Sequence, residues 1–170
     1  MKIFSANIDS LTELYNTELR KALDLEETIV KALPAMIEKA TDSQLKQGLQ
    51  SHLQESEQHV DRVKQLLSSF DDSDSKTCKV IHTLVSEAED SMKDASDPDV
   101  RDIAIIGAAQ QVEHHEIAVY GTLKSWARIL GRTEDITLIE LIERDEKHAD
   151  KLLSDISDRV NSEAPVAKAA

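Results

Sequence analysis

Aromatic residues make up only 3% of this 170-residue chain, which also has just four glycines, three prolines and one cysteine. So few turn formers leave little material for a fold built on tight reversals. The single cysteine, Cys78, excludes an internal disulfide and fits a reducing compartment. No apolar run approaches the roughly 20 residues needed to cross a bilayer, and the first residues, MKIFSANIDS, lack the apolar stretch of a signal peptide. The expected location is therefore the cytoplasm, away from membranes. Positive charge is also scarce. Lys and Arg number 20 against 33 Asp and Glu, a formal net charge of −13. Such a field repels nucleic acid and anionic lipid and attracts cations.

What is abundant is Leu, Ala, Glu, Asp and Lys, the composition of helices. Four long amphipathic patterns are present, and the length suits one domain, here residues 1–162 with a disordered tail at 163–170. The first pattern runs from about Ile8 to Ala40, with Pro34 set to kink or shorten its last turns. TDSQ follows, in which Thr41 and Gln44 fit a capping box. The second runs to about Phe70. After the polar break DDSDS, residues 76–94 form a shorter helical pattern. Asp97 as N-cap and Pro98 at the first helical position start the third, which stops at Gly131. Thr133 or a neighbour caps the fourth, which ends near Val160. Short breaks make the first two helices antiparallel, and likewise the last two. The middle segment returns the chain, so that the third long helix starts from the same end as the second. The fold class predicted is all-α, a ferritin-like four-helix bundle with a long helical crossover.

Carboxylates interrupt the apolar stripes. Glu116 sits among Val112, Val119, Leu123 and Trp126, with Glu113 one turn earlier; Glu26 interrupts Ala22, Ile29 and Leu33; Glu146 interrupts Ile142, Ala149 and Leu153. Treating each short turn as a mirror, Glu26 lies about fifteen residues before the first turn and Glu55 about as far after it. Glu116 and Glu146 stand in the same relation to Gly131. Four helices thus direct acids to one level. Any one of these in a chain that is 31% charged could be a solvated flank. Four at mirrored heights in a dry core would be prohibitively costly unless protons or divalent cations neutralised them. Carboxylates with an occasional imidazole suit Fe or Mn and, less specifically, Zn. The usual Glu-x-x-His pairs are not clean: Glu55 has His59 at i+4, Glu146 has Asp150 at i+4, and Asp145 has His148 at i+3. Glu146 lies nearer the apolar stripe, with Asp150 and His148 as competing further donors.

The segments LDLEETIVKALPAM, SHLQESEQHV, VEHHEIAVYGTL and IERDEKHADKLL resemble the four signature stretches of the YciE/YciF-like family of bacterial stress proteins, a branch of the ferritin-like superfamily. The resemblance covers roughly residues 8–160, and VEHHEIAVYGTL is its most specific part. It implies a bundle with a rubrerythrin-like dinuclear site, a homodimer, and no settled activity. Carried over by motif, the implied metal ligands are Glu26, Glu55, Glu113, Glu116 and Glu146, with His59 and Asp150 beside them. Gln54 departs from the acidic pair of that family's second helix, leaving one carboxylate in that turn.

The remaining candidates have plain structural readings beside the functional ones. His52 is either a residue that orients Glu55 or a core-edge histidine. Tyr120 either hydrogen-bonds a ligand or is an ordinary buried tyrosine, and Trp126 is core. His114 points outward or packs at a helix contact, with a ligand role as the alternative; His115 has no nameable partner, and Cys78 and His82 lie on the crossover away from the site. Three functions follow: a di-iron or di-manganese protein oxidising Fe(II) with oxygen or peroxide, a metal holder without turnover, and a structural bundle. A redox role would need a separate electron donor, because the chain has no cysteine pair.

Overall fold

The computed structural model describes residues 8–70 and 74–166. The expected lack of a signal stretch in residues 1–7, part of the DDSDS break and the last four residues of the predicted tail lie outside these. The described chain is all helical, with five helices: α1 (Leu11–Lys39), α2 (Ser43–Leu67), α3 (Lys79–Asp94), α4 (Pro98–Ile129) and α5 (Thr133–Glu163).

Local chemistry sets the helix ends. Ser10 and Glu13 form a reciprocal capping box at the start of α1. The helix runs through Pro34, an exposed residue, to Lys39. The predicted cap at Thr41 and Gln44 belongs instead to Asp42, whose Oδ1 accepts from the backbone of Gln44 and Leu45. Thr41 is drawn away: its backbone N–H and hydroxyl both donate to the buried Asp102 of α4. Asp97 and Pro98 start α4 as the sequence predicts. Gly131 ends it with a φ of 71°. Its N–H bonds to the Arg128 carbonyl and that of Arg132 to the Ala127 carbonyl, closing a Schellman motif. Two other expected ends move. The helix α2 stops at Leu67 rather than Phe70, and α3 begins at Lys79, where Asp24 of α1 takes the Cys78 N–H at 2.7 Å. The first residue of α5 is Thr133, preceded by Arg132 with no side-chain cap.

Helix α1 packs on α2, α2 on α5, α5 on α4 and α4 on α1, while α3 lies across α1 and α4. Polar contacts orient them. Tyr15 near the start of α1 donates to Asp135 near the start of α5 at 2.8 Å, and Asp102 near the start of α4 holds the end of α1. Arg159 late in α5 meets Asp42 at the start of α2, also at 2.8 Å. The helices α2 and α4 therefore run together, against α1 and α5, as the connection lengths require.

The apolar interior divides into two clusters. One contains Leu25, Ile29 and Leu33 of α1, Leu45 and Leu49 of α2, Ile105 and Ala109 of α4, and Leu153 and Ile156 of α5. The other contains Tyr15 and Leu19 of α1, Val63 and Leu66 of α2, Tyr120 and Leu123 of α4, and Ile139 and Ile142 of α5. On all four long helices, buried polar side chains fall at the boundary between them. Trp126, expected in the core, is half-buried at the edge of the second cluster.

Candidate metal centre

Glu26, Glu116 and Glu146 are fully buried and Glu113 is 2% exposed. They come from α1, α4 and α5. The contribution of α2 is two buried imidazoles, His52 and His59, with Ser56 between them. These six side chains form two groups that could hold a metal ion, the donor atoms of each lying within 4.8 Å of one another: His52, Glu113, Glu116 and Glu146 in one, and Glu26, His59 and Glu146 in the other. Glu146 is common to both.

The distances are those of donors that share a centre. His59 Nδ1 stands 2.8 Å from Glu146 Oε1 and 3.7 Å from Glu26 Oε2. His52 Nε2 is 3.4 Å from Glu113 Oε1, and its Nδ1 is 3.9 Å from Glu146 Oε2. Two donors cis on an octahedral ion at about 2.1 Å would be about 3.0 Å apart, and trans donors about 4.2 Å. Among the described residues no aligned hydrogen-bond partner serves Glu26 Oε2, Glu113 Oε2, either oxygen of Glu116 or Glu146, or Nδ1 of His52 and His59. Orphaned buried acceptors on this scale are rare and each is costly. Their lone pairs suit a cation. Four carboxylates with neutral imidazoles carry four negative charges, which two divalent ions would cancel. The donor set fits the metals expected from the sequence.

Electrostatics carries the same message. Burial, reinforced by the neighbouring Glu146 carboxylate, raises the pKa of Glu113 and Glu116 well above the ordinary carboxylate range. Burial opposes a charge on His59, but the Glu146 and Glu26 carboxylates outweigh it and lift its pKa to about 10. His52 is lowered by burial. Without a cation the cluster takes up protons.

Outer contacts orient the donors. Tyr120 donates to Glu26 Oε1, leaving Oε2 for the centre. Asp145 Oδ2 lies 3.4 Å from His59 Nε2 and is held by Arg62 at 2.9 Å. A carboxylate behind a ligating histidine is the usual way of fixing its ring.

Two residues expected as ligands stand outside both groups. Glu55 has the expected height but is turned aside from the donor groups. At about 100° per residue it is turned roughly 60° from the line of His52, Ser56 and His59, and it is half-buried. Asp150 is half-buried too and faces the exposed His114 at 3.3 Å. His148 is exposed and Asp145 sits behind His59. Conversely, His52 enters a group where the sequence offered it only a supporting part. The signal was available in its i+7 relation to His59. Cys78 is also nearer the centre than expected: its sulfur lies 3.6 Å from Nε2 of His115, the neighbour of Glu116.

Comparisons with known proteins agree with this fold. Residues 10–165 match a family described as a domain of unknown function, DUF892. The chain is 30% identical to protein YciF of Escherichia coli over 161 residues, 93% of this chain and 97% of that one. The crystal structure of the E. coli stress protein YciF superposes with a TM-score of 0.86 at 28% identity, covering 92% of this chain and all of the other. YcfI from Rhodopseudomonas palustris, a candidate structural protein, gives 0.85 at 38% identity over 89% of this chain and 97% of its own.

Proposed function

The chain belongs to the DUF892 family, and from that premise we propose that it is a ferritin-like bundle protein holding two divalent metal ions in a carboxylate–histidine centre. The observation that carries this reading is the sharing of Glu146 by two groups of buried donors. One ion would take His52, Glu113, Glu116 and Glu146, the other Glu26, His59 and Glu146. Glu146, common to both groups, would help to hold both ions. Iron is the first choice, with manganese or zinc as substitutes. Bound iron would supply electron transfer to oxygen or peroxide, an oxidase or peroxidase chemistry.

The chain's own residues do the rest. Tyr120 holds Glu26, Asp145 holds His59, and the two apolar clusters exclude water above and below. A stress-linked role follows from the relationship to YciF, named a stress protein. Cytoplasmic location, a homodimeric state and a separate electron donor belong to the same proposal. No described helix is long and apolar enough to cross a membrane.

The test is anaerobic reconstitution with Fe(II), a metal count, and then addition of oxygen or peroxide. About two ions per chain are expected on the two-metal plan, followed by consumption of the oxidant. Failure to take up any metal would overturn the proposal. Uptake without consumption would leave a metal holder, and the relative YcfI, a candidate structural protein, keeps a purely structural bundle as the reading after that.

A further inference from the structure

Two clefts lead to the same pair of ligands, His52 and Glu113, with different chemistry. The one between α2 and α5 is lined partly by Ser51, Glu55 and His148. It is mainly apolar, but these three side chains add hydrogen-bonding and charged groups to its wall. The other opens between α1, α3 and α4 and is almost wholly apolar. Ala32 and Leu33 of α1, Ala88 and Met92 of α3, and Ala108 and Ala109 of α4 line it, with the exposed Glu89 at the surface. Alanine on three helices is what keeps the space open. Its interior is ≈ 40 Å³, a few times the roughly 10–15 Å³ that one water requires.

We propose that this apolar cleft binds dioxygen and opens onto the His52–Glu113 side of the candidate metal centre. The second observation beside the alanine lining is that His52 and Glu113, both more than nine-tenths buried, line the cleft and also belong to one of the two donor groups. An almost wholly apolar lining offers water few hydrogen-bond partners and suits a small apolar species. Peroxide would lose its hydrogen bonds to water on the way in, at a cost that dioxygen does not incur. The lining of this cleft therefore favours dioxygen over peroxide. Its purpose rests on the two-metal reading, whereas its occupancy does not.

Gas binding by the full chain, with and without Zn(II) so that no oxygen is consumed, tests this. Xenon is expected at one site between α1, α3 and α4. Dissolved dioxygen should relax the methyl resonances of Ala88, Ala109 and Met92 several-fold more than those of surface methyls. Ala88→Leu, and separately Ala109→Leu on another helix, should remove both effects; Ala88→Leu should leave the Zn(II) count unchanged. The proposal is overturned if xenon does not bind, if oxygen relaxes all methyls alike, or if both leucine variants keep the gas. Displacement of xenon by decanoate would overturn it in favour of an acyl-chain site. Gas binding without any metal uptake would sink the two-metal reading alone and leave the dioxygen site standing.

Discussion

Both oxygens of Glu116 are buried without an aligned donor among the described residues, so removing its charge should have a definite sign. Its pKa is raised by burial and by Glu146 well above the ordinary carboxylate value of about 4.5. The folded metal-free protein thus holds a proton that the unfolded chain has released, and stability falls as pH rises from about 4.5 toward the raised value. Glu116→Gln should lose that slope and gain about 1–4 kcal/mol in metal-free stability at neutral pH, read from urea melts at several pH values. It should also weaken metal binding. A metal-free variant less stable than the parent would contradict the burial. Two further substitutions separate ligands from neighbours. His52→Ala should reduce the metal count from about two toward one, because the Glu26–His59–Glu146 group survives. Glu55→Gln should leave the count unchanged, since that side chain lies outside both groups. Elemental analysis after dialysis distinguishes the two results.

At the scale of elements, the α1–α2 turn depends on a residue far along the chain. Asp102 accepts the N–H groups of Thr41 and Asp42 and the Thr41 hydroxyl, at 2.9, 2.7 and 2.6 Å. Asp102→Ala strands those donors and should cost about 1–3 kcal/mol. Asp42→Ala removes the N-cap of α2, worth about 1 kcal/mol. The two act on one turn, so the double variant should depart from additivity in a denaturation cycle. The crossover is tied in a similar way. Asp24 serves the start of α3 through the Cys78 N–H and lies 3.0 Å from His82 Nε2, which keeps α3 over the apolar cleft.

For the whole molecule, the acid layer between two apolar clusters makes stability depend on metal. A ligand held at about 100 times its dissociation constant adds roughly 2.7 kcal/mol. Chelation should therefore lower the melting temperature by about 5 °C or more for a chain of this size, and Zn(II) should restore it. A melting temperature indifferent to both would mean that protons alone neutralise the centre. The formal charge of −13 favours cation approach, so loading should slow as ionic strength rises.

Helical class, the direction of the long helices and the height of the acids were legible because they depend on periodicity and chain length. Glu26, Glu113, Glu116 and Glu146 interrupt or flank apolar stripes, and counting from each turn brings Glu26, Glu116 and Glu146 to one level. On α2 the i+7 spacing of His52 and His59 was a signal, but whether that line or Glu55 faces inward was not legible. Glu55 and His52 differ by less than one turn, and only packing against α1 and α5 sets the rotation that presents His52 and His59 and turns Glu55 aside. Asp150 stands outside both groups through the rotation of α5 in the same way. The true cap at Asp42 depended on Asp102 withdrawing Thr41 across 61 residues. Spacing along a chain thus determines which level a side chain occupies, because helical rise is constant. Which way it points, and what it meets there, is decided by contacts between helices, to which local sequence is blind.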